Sequence, residues 1–375
     1  MEALKTLPGL RVSEVNDRAQ FMALEGEWNA LVARVNDQVF YRHEFFRIWI
    51  DNFAPKAKLR VLVGRNDRGE LSAVLPLIEQ RSSLYGIPVT ELSSAGNAHS
   101  CRFDLIAEAG ETARSAGEAF MDHLRADKSW DVIRIIDVPE AGGAFWLADA
   151  AKQRGNPIGS WESLNSPYFA LPSSFDAFSA GLQSKFKANC RRRRKKLEEK
   201  GAVSFERYDG GAELDAKLEE GFGLEASGWK GERGTAIAQD KATRGFYTEL
   251  AREASARGWL SLYFHRLSGK AVSFHYGLSY GGKYLLLKPG YDETLKECSP
   301  GQLLMEDVVR DCIDRKQSEF DFLGPDMPWK RDWTDKARQH TWLFIFRDSA
   351  FGKTLCAAKF KWAPVAKEAM AKWRK

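Results

Sequence analysis

Residues 259–324 read WLSLYFHRLSGKAVSFHYGLSYGGKYLLLKPGYDETLKECSPGQLLMEDVVRDCIDRKQSEFDFLG, and the order of signals in that stretch decides the fold. Two alternating apolar runs meet at Ser268-Gly269-Lys270, and a third follows Gly281-Gly282. Small turn residues between such runs predict a three-stranded antiparallel meander. Ser299-Pro300-Gly301-Gln302 then combines a Ser N-cap, a proline at the first helical position and a glutamine placed for a capping box, so a helix is expected to start there. Leu304, Val308 and Cys312, flanked by Met305, Val309 and Ile313, give that helix one apolar face. Its first turn directs backbone N–H groups and the positive end of the dipole ahead of it, which suits an anion. The same four residues serve equally well as a cap that binds nothing.

Working outward, the chain has 375 residues and a mass of 42.3 kDa, enough for two domains with a core each. It is 44% hydrophobic and 29% charged, the balance of a globular protein, and its net charge of +5 favours anionic partners without requiring nucleic acid. Cys101, Cys190, Cys298, Cys312 and Cys356 are scattered, with no CxxC or Cys/His cluster, so neither a disulfide framework nor a metal site is expected. No secretory pattern follows Met1, and no apolar run approaches the ~18 residues of a membrane span. A cytoplasmic protein is expected.

The N-terminal half opens with helical spacing at Phe21, Leu24, Trp28, Leu31 and Val32, then a second helix holding Phe45, Phe46 and Trp49. A hairpin follows, LRVLVGR and LSAVLPLIEQ around Asn66-Asp67-Arg68-Gly69. The C-terminal half repeats helices and then a hairpin, which points to a duplicated α/β unit. The join falls near 160–172, where Gly159, Pro167 and Pro172 interrupt the periodicity, giving domains over 1–165 and 166–375. A long helix over 175–200 is expected next. Phe175, Phe178, Leu182, Phe186, Cys190 and Leu197 form its stripe, and its other faces carry Lys185, Lys187 and the run Arg191–Lys196.

With these pieces in place the chain resembles the CelD-like, cellulose-biosynthesis type of GNAT acyltransferase, built from two GNAT-like units and related to the Fem-type peptidoglycan aminoacyltransferases. The residues that carry the resemblance are Phe40 to Trp49, the PLIE of 76–79, KFKANCRRRRKKLEEKG at 185–201, GLEASGWKGERGTAI at 223–237, the SPGQLL helix start, and FDFLGPDMPWKRDW at 320–333. The resemblance implies tandem α/β (α+β) units, each a mixed, mostly antiparallel sheet flanked by helices. It also implies an acyl-CoA donor held by the C-terminal unit, with Lys288, Ser299, Gly301 and Gln302 as its contacts. The N-terminal unit is expected to be degenerate and to shape the acceptor groove. The usual phosphate loop of the superfamily is absent, and Pro300-Gly301-Gln302 stands in its place, which leaves coenzyme A, acyl carrier protein and aminoacyl-tRNA all open as carriers.

Acyl transfer to an amine needs a base, donors for the oxyanion and a proton for the leaving thiolate. Glu225 falls inside the apolar stripe Leu214, Leu218, Phe222 and Trp229 of a helix read over 213–230, so burial there favours a base; the alternative is an ion pair with Lys230 or Arg233. His275 faces away from Val272, Phe274, Tyr276 and Leu278, beside Ser273 and Gly277, either as a site residue or as a satisfied histidine under a helix. Tyr291 follows Lys288-Pro289-Gly290 on the way to the capped helix, where a phenol is placed to protonate a thiolate. Asp321, between two phenylalanines, is a further catalytic candidate or an acid that caps a neighbouring loop, and Lys330, a few residues on, is placed to hold a phosphate or an acidic acceptor. Trp229, Lys230 and Lys330 are the expected acceptor contacts.

The leading expectation is therefore direct N-acylation, without a covalent cysteine relay, of an amino-lipid of sphingoid-base type or of an amino sugar or polysaccharide precursor of the cell envelope. Two others stand beside it, a Fem-type aminoacyl-tRNA-dependent transferase and a non-catalytic ligand-binding protein of envelope polysaccharide synthesis. Arg191–Lys196 reads first as a solvated helix face, and it lacks the interleaved aromatics of a nucleic-acid surface. Lys359, Lys361, Lys367, Lys372, Arg374 and Lys375, alternating with Phe360, Trp362 and Trp373, suit peripheral contact with an anionic membrane.

Overall fold

The computed structural model describes residues 10–35, 37–227 and 237–364. In chain order its elements are β1 (Arg11–Val15), α1 (Arg18–Ala23), α2 (Glu25–Val35), α3 (His43–Phe53), β2 (Lys58–Arg65), β3 (Leu71–Leu84), β4 (Ile87–Ser94), β5 (Ile106–Ala107), α4 (Glu111–Ala126), β6 (Val132–Pro139), α5 (Ala144–Gln153) and β7 (Ile158–Ala170). They continue with α6 (Phe175–Ala180), α7 (Ser184–Glu198), β8 (Val203–Tyr208), α8 (Leu214–Ala226), α9 (Lys241–Ala256), β9 (Leu260–Leu267), β10 (Lys270–Tyr280), β11 (Lys283–Tyr291), α10 (Pro300–Asp314), β12 (Glu319–Asp321), α11 (Pro328–Arg331), β13 (Ala337–Phe346) and α12 (Ala350–Ala357). None of the described helices is long and apolar enough to cross a membrane.

The chain forms two compact units, one of residues 1–50, 54–164 and 339–375, the other of 51–53 and 165–338. In the first, β1, β2, β3, β4, β6 and β13 lie side by side, with β5 against β3. The β2–β3–β4 meander is antiparallel, while β6 joins β4 in parallel from Glu91↔Val132 to Ser93↔Arg134. Trp28, Phe21, His43 and Phe46 pack together beside that sheet. The helical pattern over Phe21–Val32 is split between α1 and α2, because the N–H of Leu24 closes a turn onto Phe21.

The second unit repeats the order. β8, β9, β10 and β11 run antiparallel, and β12 joins β11 in parallel. The turns are the ones the spacing predicts. Ser268 and Gly269 have φ of 49° and 86°, Gly281 and Gly282 of 56° and 73°, the left-handed pairs that two-residue hairpins require. One face of this sheet carries Tyr263, Tyr284 and Leu286 against Leu304, Val308 and Cys312 of α10 and Cys190 of α7. The other carries Phe274 and Tyr276 against α8 and α9, and the Tyr276 hydroxyl donates to the Tyr247 carbonyl at 2.8 Å.

Two expectations change. The long helix over 175–200 is two helices, since Ser174 caps α6 through the Ala177 N–H and the chain turns at Gly181 before α7 begins. Residues 339–375 belong with the first unit rather than the C-terminal half. The closing strands are exchanged along the sequence: β7 ends in the second unit's sheet against β12, and β13 lies in the first unit's sheet against β6.

Candidate functional site

β11 and β12 share only three register positions, Lys283↔Glu319 to Leu285↔Asp321. Beyond them β11 runs on to Tyr291 paired with β10, and no strand among the described residues covers its other edge. The β10 register jumps from Tyr276↔Lys288 to Gly277↔Leu286, which leaves Leu287 as a bulged residue where the two parallel strands part. Bulges re-aim backbone groups and are enriched beside active sites. The chain then passes a 3-10 turn over Glu293–Cys298 and enters α10.

The cap of α10 differs from the sequence expectation. Ser299 occupies the N-cap position in a left-handed conformation, φ 47° and ψ 57°, and its hydroxyl bonds back to the Lys296 carbonyl at 3.3 Å instead of capping the helix. Gln302 forms no capping box, because its Oε1 accepts the indole N–H of Trp333 at 2.8 Å. The N–H groups of Gln302 and Leu303 turn back to the Ser299 carbonyl. Gly301, ahead of them, carries one of the orphan donors of a helix start, and a Cβ there would lie 3.4 Å from the Tyr291 ring.

α8 reaches the same place from the other face of the sheet. Two glycines allow it: a Cβ on Gly221 would sit 2.4 Å from the Phe274 ring, and one on Gly290 would sit 2.7 Å from the Glu225 backbone nitrogen. Glu225 is buried, with 2% of its surface exposed, and its Oε2 accepts the Ile237 N–H at 2.9 Å. Ser227 donates to the Tyr291 carbonyl at 3.2 Å. Burial, and then the neighbouring Glu293 carboxylate, raises the Tyr291 phenol above its ordinary pKa, so it is protonated at neutral pH. Glu225, Gly290, Tyr291, Ser299 and Gly301 thus come together at the end of β11. Trp229, Lys230 and the proposed ion-pair partner Arg233 lie outside the described residues.

The remaining candidates are placed otherwise. His275 pairs with Tyr263 and Pro289 on the α10 face, under the helix as one reading expected, but its Nδ1 has no hydrogen-bond partner among the described residues. Desolvation, with His265 nearby, pushes its pKa down to about 3, so the ring is neutral and a weak base. Lys288 lies away from the α10 start, its ammonium 5.5 Å from the centre of the Tyr247 ring on α9. Asp321 is fully buried and accepts from Arg338 at 3.0 Å and from the Leu323 N–H at 2.9 Å. The Lys330 ammonium turns inward onto the carbonyls of Leu323 and Pro325, at 2.6 and 2.8 Å, and fastens that loop.

Two polar centres lay outside the sequence reading. On α10, Asp307 accepts from Arg194 of α7 at 2.9 Å and bonds His265 at 2.7 Å. Burial alone would raise its pKa, and those two partners reverse the sign and lower it. In the first unit Asp104 accepts from the N–H groups of Leu105, Gly143 and Ala144, capping α5 from some forty residues upstream in sequence, although burial holds its pKa up at about 6. The carboxylate lines a cleft with Trp28, Tyr41, Phe45 and Arg102. Among the described residues no group of three or more His, Cys, Asp or Glu side chains is placed to hold a metal ion.

The large mixed sheet flanked by helices is an α/β arrangement consistent with tandem GNAT-like folds. Residues 184–331 match the family model described as Acetyltransferase (GNAT) domain. Among solved structures, the chain is similar to FemX at 13% identity, with 89% of this chain and 97% of that chain covered and a TM-score of 0.57. It is similar to the C-terminal domain of a putative lysylphosphatidylglycerol synthetase from Agrobacterium fabrum at 10% identity, covering 90% and 96%, TM-score 0.53. It is also similar to L-PGS from Bacillus licheniformis at 9% identity, covering 93% and 97%, TM-score 0.53. No curated protein matches it in sequence. At these identities the solved structures establish the fold.

Proposed function

We propose that the protein is a cytoplasmic, CelD-like N-acyltransferase that moves an acyl group from coenzyme A to the amine of an amino-lipid, directly and without an acyl-enzyme. One observation carries this reading: beyond Leu285 β11 leaves β12, and there Gly290 lies against the backbone of the buried Glu225 while the Tyr291 ring lies beside Gly301 at the start of α10. A thioester carrier supplies the activated acyl group. The bulged backbone at Leu287 and the N–H of Gly301 suit its carbonyl and its phosphates, because both present backbone donors outside the regular hydrogen-bond ladder. Glu225 takes a proton from the acceptor nitrogen as the C–N bond forms. The C–S bond breaks, and Tyr291 gives its proton to the departing thiolate, regaining one from solvent. Burial raises the Cys190 thiol to about 11 and lifts Cys312 well above its ordinary value, which keeps both protonated and disfavours either as a covalent relay.

The choice of a lipid over a sugar rests on the aromatic and basic residues of 349–375. The name of one similar solved structure, a putative lysylphosphatidylglycerol synthetase, points the same way. The exposed Arg191, Arg192, Lys195 and Lys196 of α7 favour the second reading, an aminoacyl-tRNA donor. Thermal unfolding separates the two. At a hundred times its Kd a ligand adds about 2.7 kcal/mol, so a long-chain acyl-CoA is expected to raise the melting temperature by several degrees. Stabilisation by bulk tRNA, with none from any coenzyme A species, would replace the first reading with the second.

A further inference from the structure

We propose that α12 and the π-helical turn that follows it, Ala358–Trp362, together with Trp161 of β7, form a docking surface for an anionic lipid bilayer. The inference goes beyond the acyl-transfer reading and stands without it. α12 buries only Gly352 and Leu355, while Phe351 is 39% and Trp362 58% exposed. Phe351 lies in the first turn of α12 and Trp362 ends the π-helical turn that follows it. The segment is held firmly underneath: Phe360 packs on Trp161, Phe344 and Phe346, and a Cβ on Gly159 would collide with its ring. The exposed rings are therefore presented by an ordered element. Trp161 itself is 38% exposed, and the Lys359 ammonium sits 4.3 Å from the centre of its ring.

Charge decides the partner. In the sequence, residues 349–375 carry seven basic side chains and a single acidic one, Glu368, and three of the basic ones, Lys353, Lys359 and Lys361, lie in the described segment. Of the described members, Lys353 pairs with Asp348 at 3.0 Å, and Lys361 is exposed with no ion pair among the described residues. The like charges of Lys359 and Lys361 beside the exposed rings disfavour a second copy of the same surface. Tryptophan and phenylalanine at headgroup depth with lysines beside them match a bilayer whose lipids are anionic.

The test is co-sedimentation of the full chain with phosphatidylcholine vesicles containing about 30 mol% phosphatidylglycerol, against vesicles of phosphatidylcholine alone. Binding to the anionic vesicles at least ~10-fold tighter, and falling steeply with salt, is expected. The triple variant Phe351→Ser, Trp362→Ser, Lys361→Glu should lose ~10-fold or more of that affinity with an unchanged melting temperature, since all three side chains are exposed. No binding to anionic vesicles, or binding the variant retains, would overturn the proposal. So would a dimer in sedimentation velocity that Trp362→Ser dissolves, because the surface would then belong to a second copy.

Discussion

Glu225 and His275 are both buried within the second unit, and burial prepares them for different things. Glu225 is oriented by the Ile237 N–H, as a base must be if it is to meet an acceptor in one geometry. His275 has a folded pKa near 3 against an ordinary 6.5. The unfolded chain therefore takes up that proton first, so the stability at stake is fully present above pH 6.5 and lost as pH falls toward 3. Replacing His275 by Leu should flatten this dependence. The gap between wild-type and variant unfolding free energies, followed by urea titration, is expected to change by on the order of 3 kcal/mol between pH 6.5 and 4. Parallel curves would show that the ring is not desolvated as described. The burial of Glu225 was legible, because Leu214, Leu218 and Phe222 set its helical stripe. The ties of Asp104 and Asp307 were not, because Gly143, Ala144, Arg194 and His265 reach them from elements distant in sequence and no local spacing encodes them.

Among elements, the seating of α8 on the sheet governs the site. Gly290 faces backbone atoms of Leu224 and Glu225, which cannot swing aside as a side-chain tip would. Gly290→Ala should therefore cost about 1–3 kcal/mol and lower kcat by displacing Glu225. Gly301→Ala, whose methyl would meet the Tyr291 ring at an ordinary 3.4 Å, should be tolerated. Equal stability of the two variants in urea would mean that α8 does not rest on β11 as closely as described. The meander, its two left-handed turns and the amphipathic helix after it could be read from turn residues and periodicity alone. The capping of that helix could not. Ser-Pro-x-Gln specifies where the helix begins, but the long-range partner Trp333 takes the glutamine and the left-handed Ser299 turns its hydroxyl away.

At the scale of the whole molecule, the exchange of closing strands limits what can be separated. The repeat of helices and hairpins was visible in both halves. The destination of β13 was not, since an apolar strand carries no mark of which parallel pair it will extend. Cutting at the apparent join leaves β6 without β13, whereas Tyr168–Ala170 of β7 stay with their partners on β12. The separate fragments 1–165 and 166–375 are expected to show lower melting temperatures than the full chain or to aggregate through the bared strand edges. Two independently folded, monomeric fragments would contradict the exchange. The central claim is chemical, and product formation tests it most directly. The purified protein should convert a long-chain acyl-CoA and a sphingoid-type amine into an amide and free coenzyme A, seen by mass spectrometry, with Glu225→Gln at least ~100-fold slower and still stabilised by the acyl-CoA. Amide formed at the wild-type rate by Glu225→Gln, or no amide from any acyl-CoA tested with amine acceptors, would contradict it.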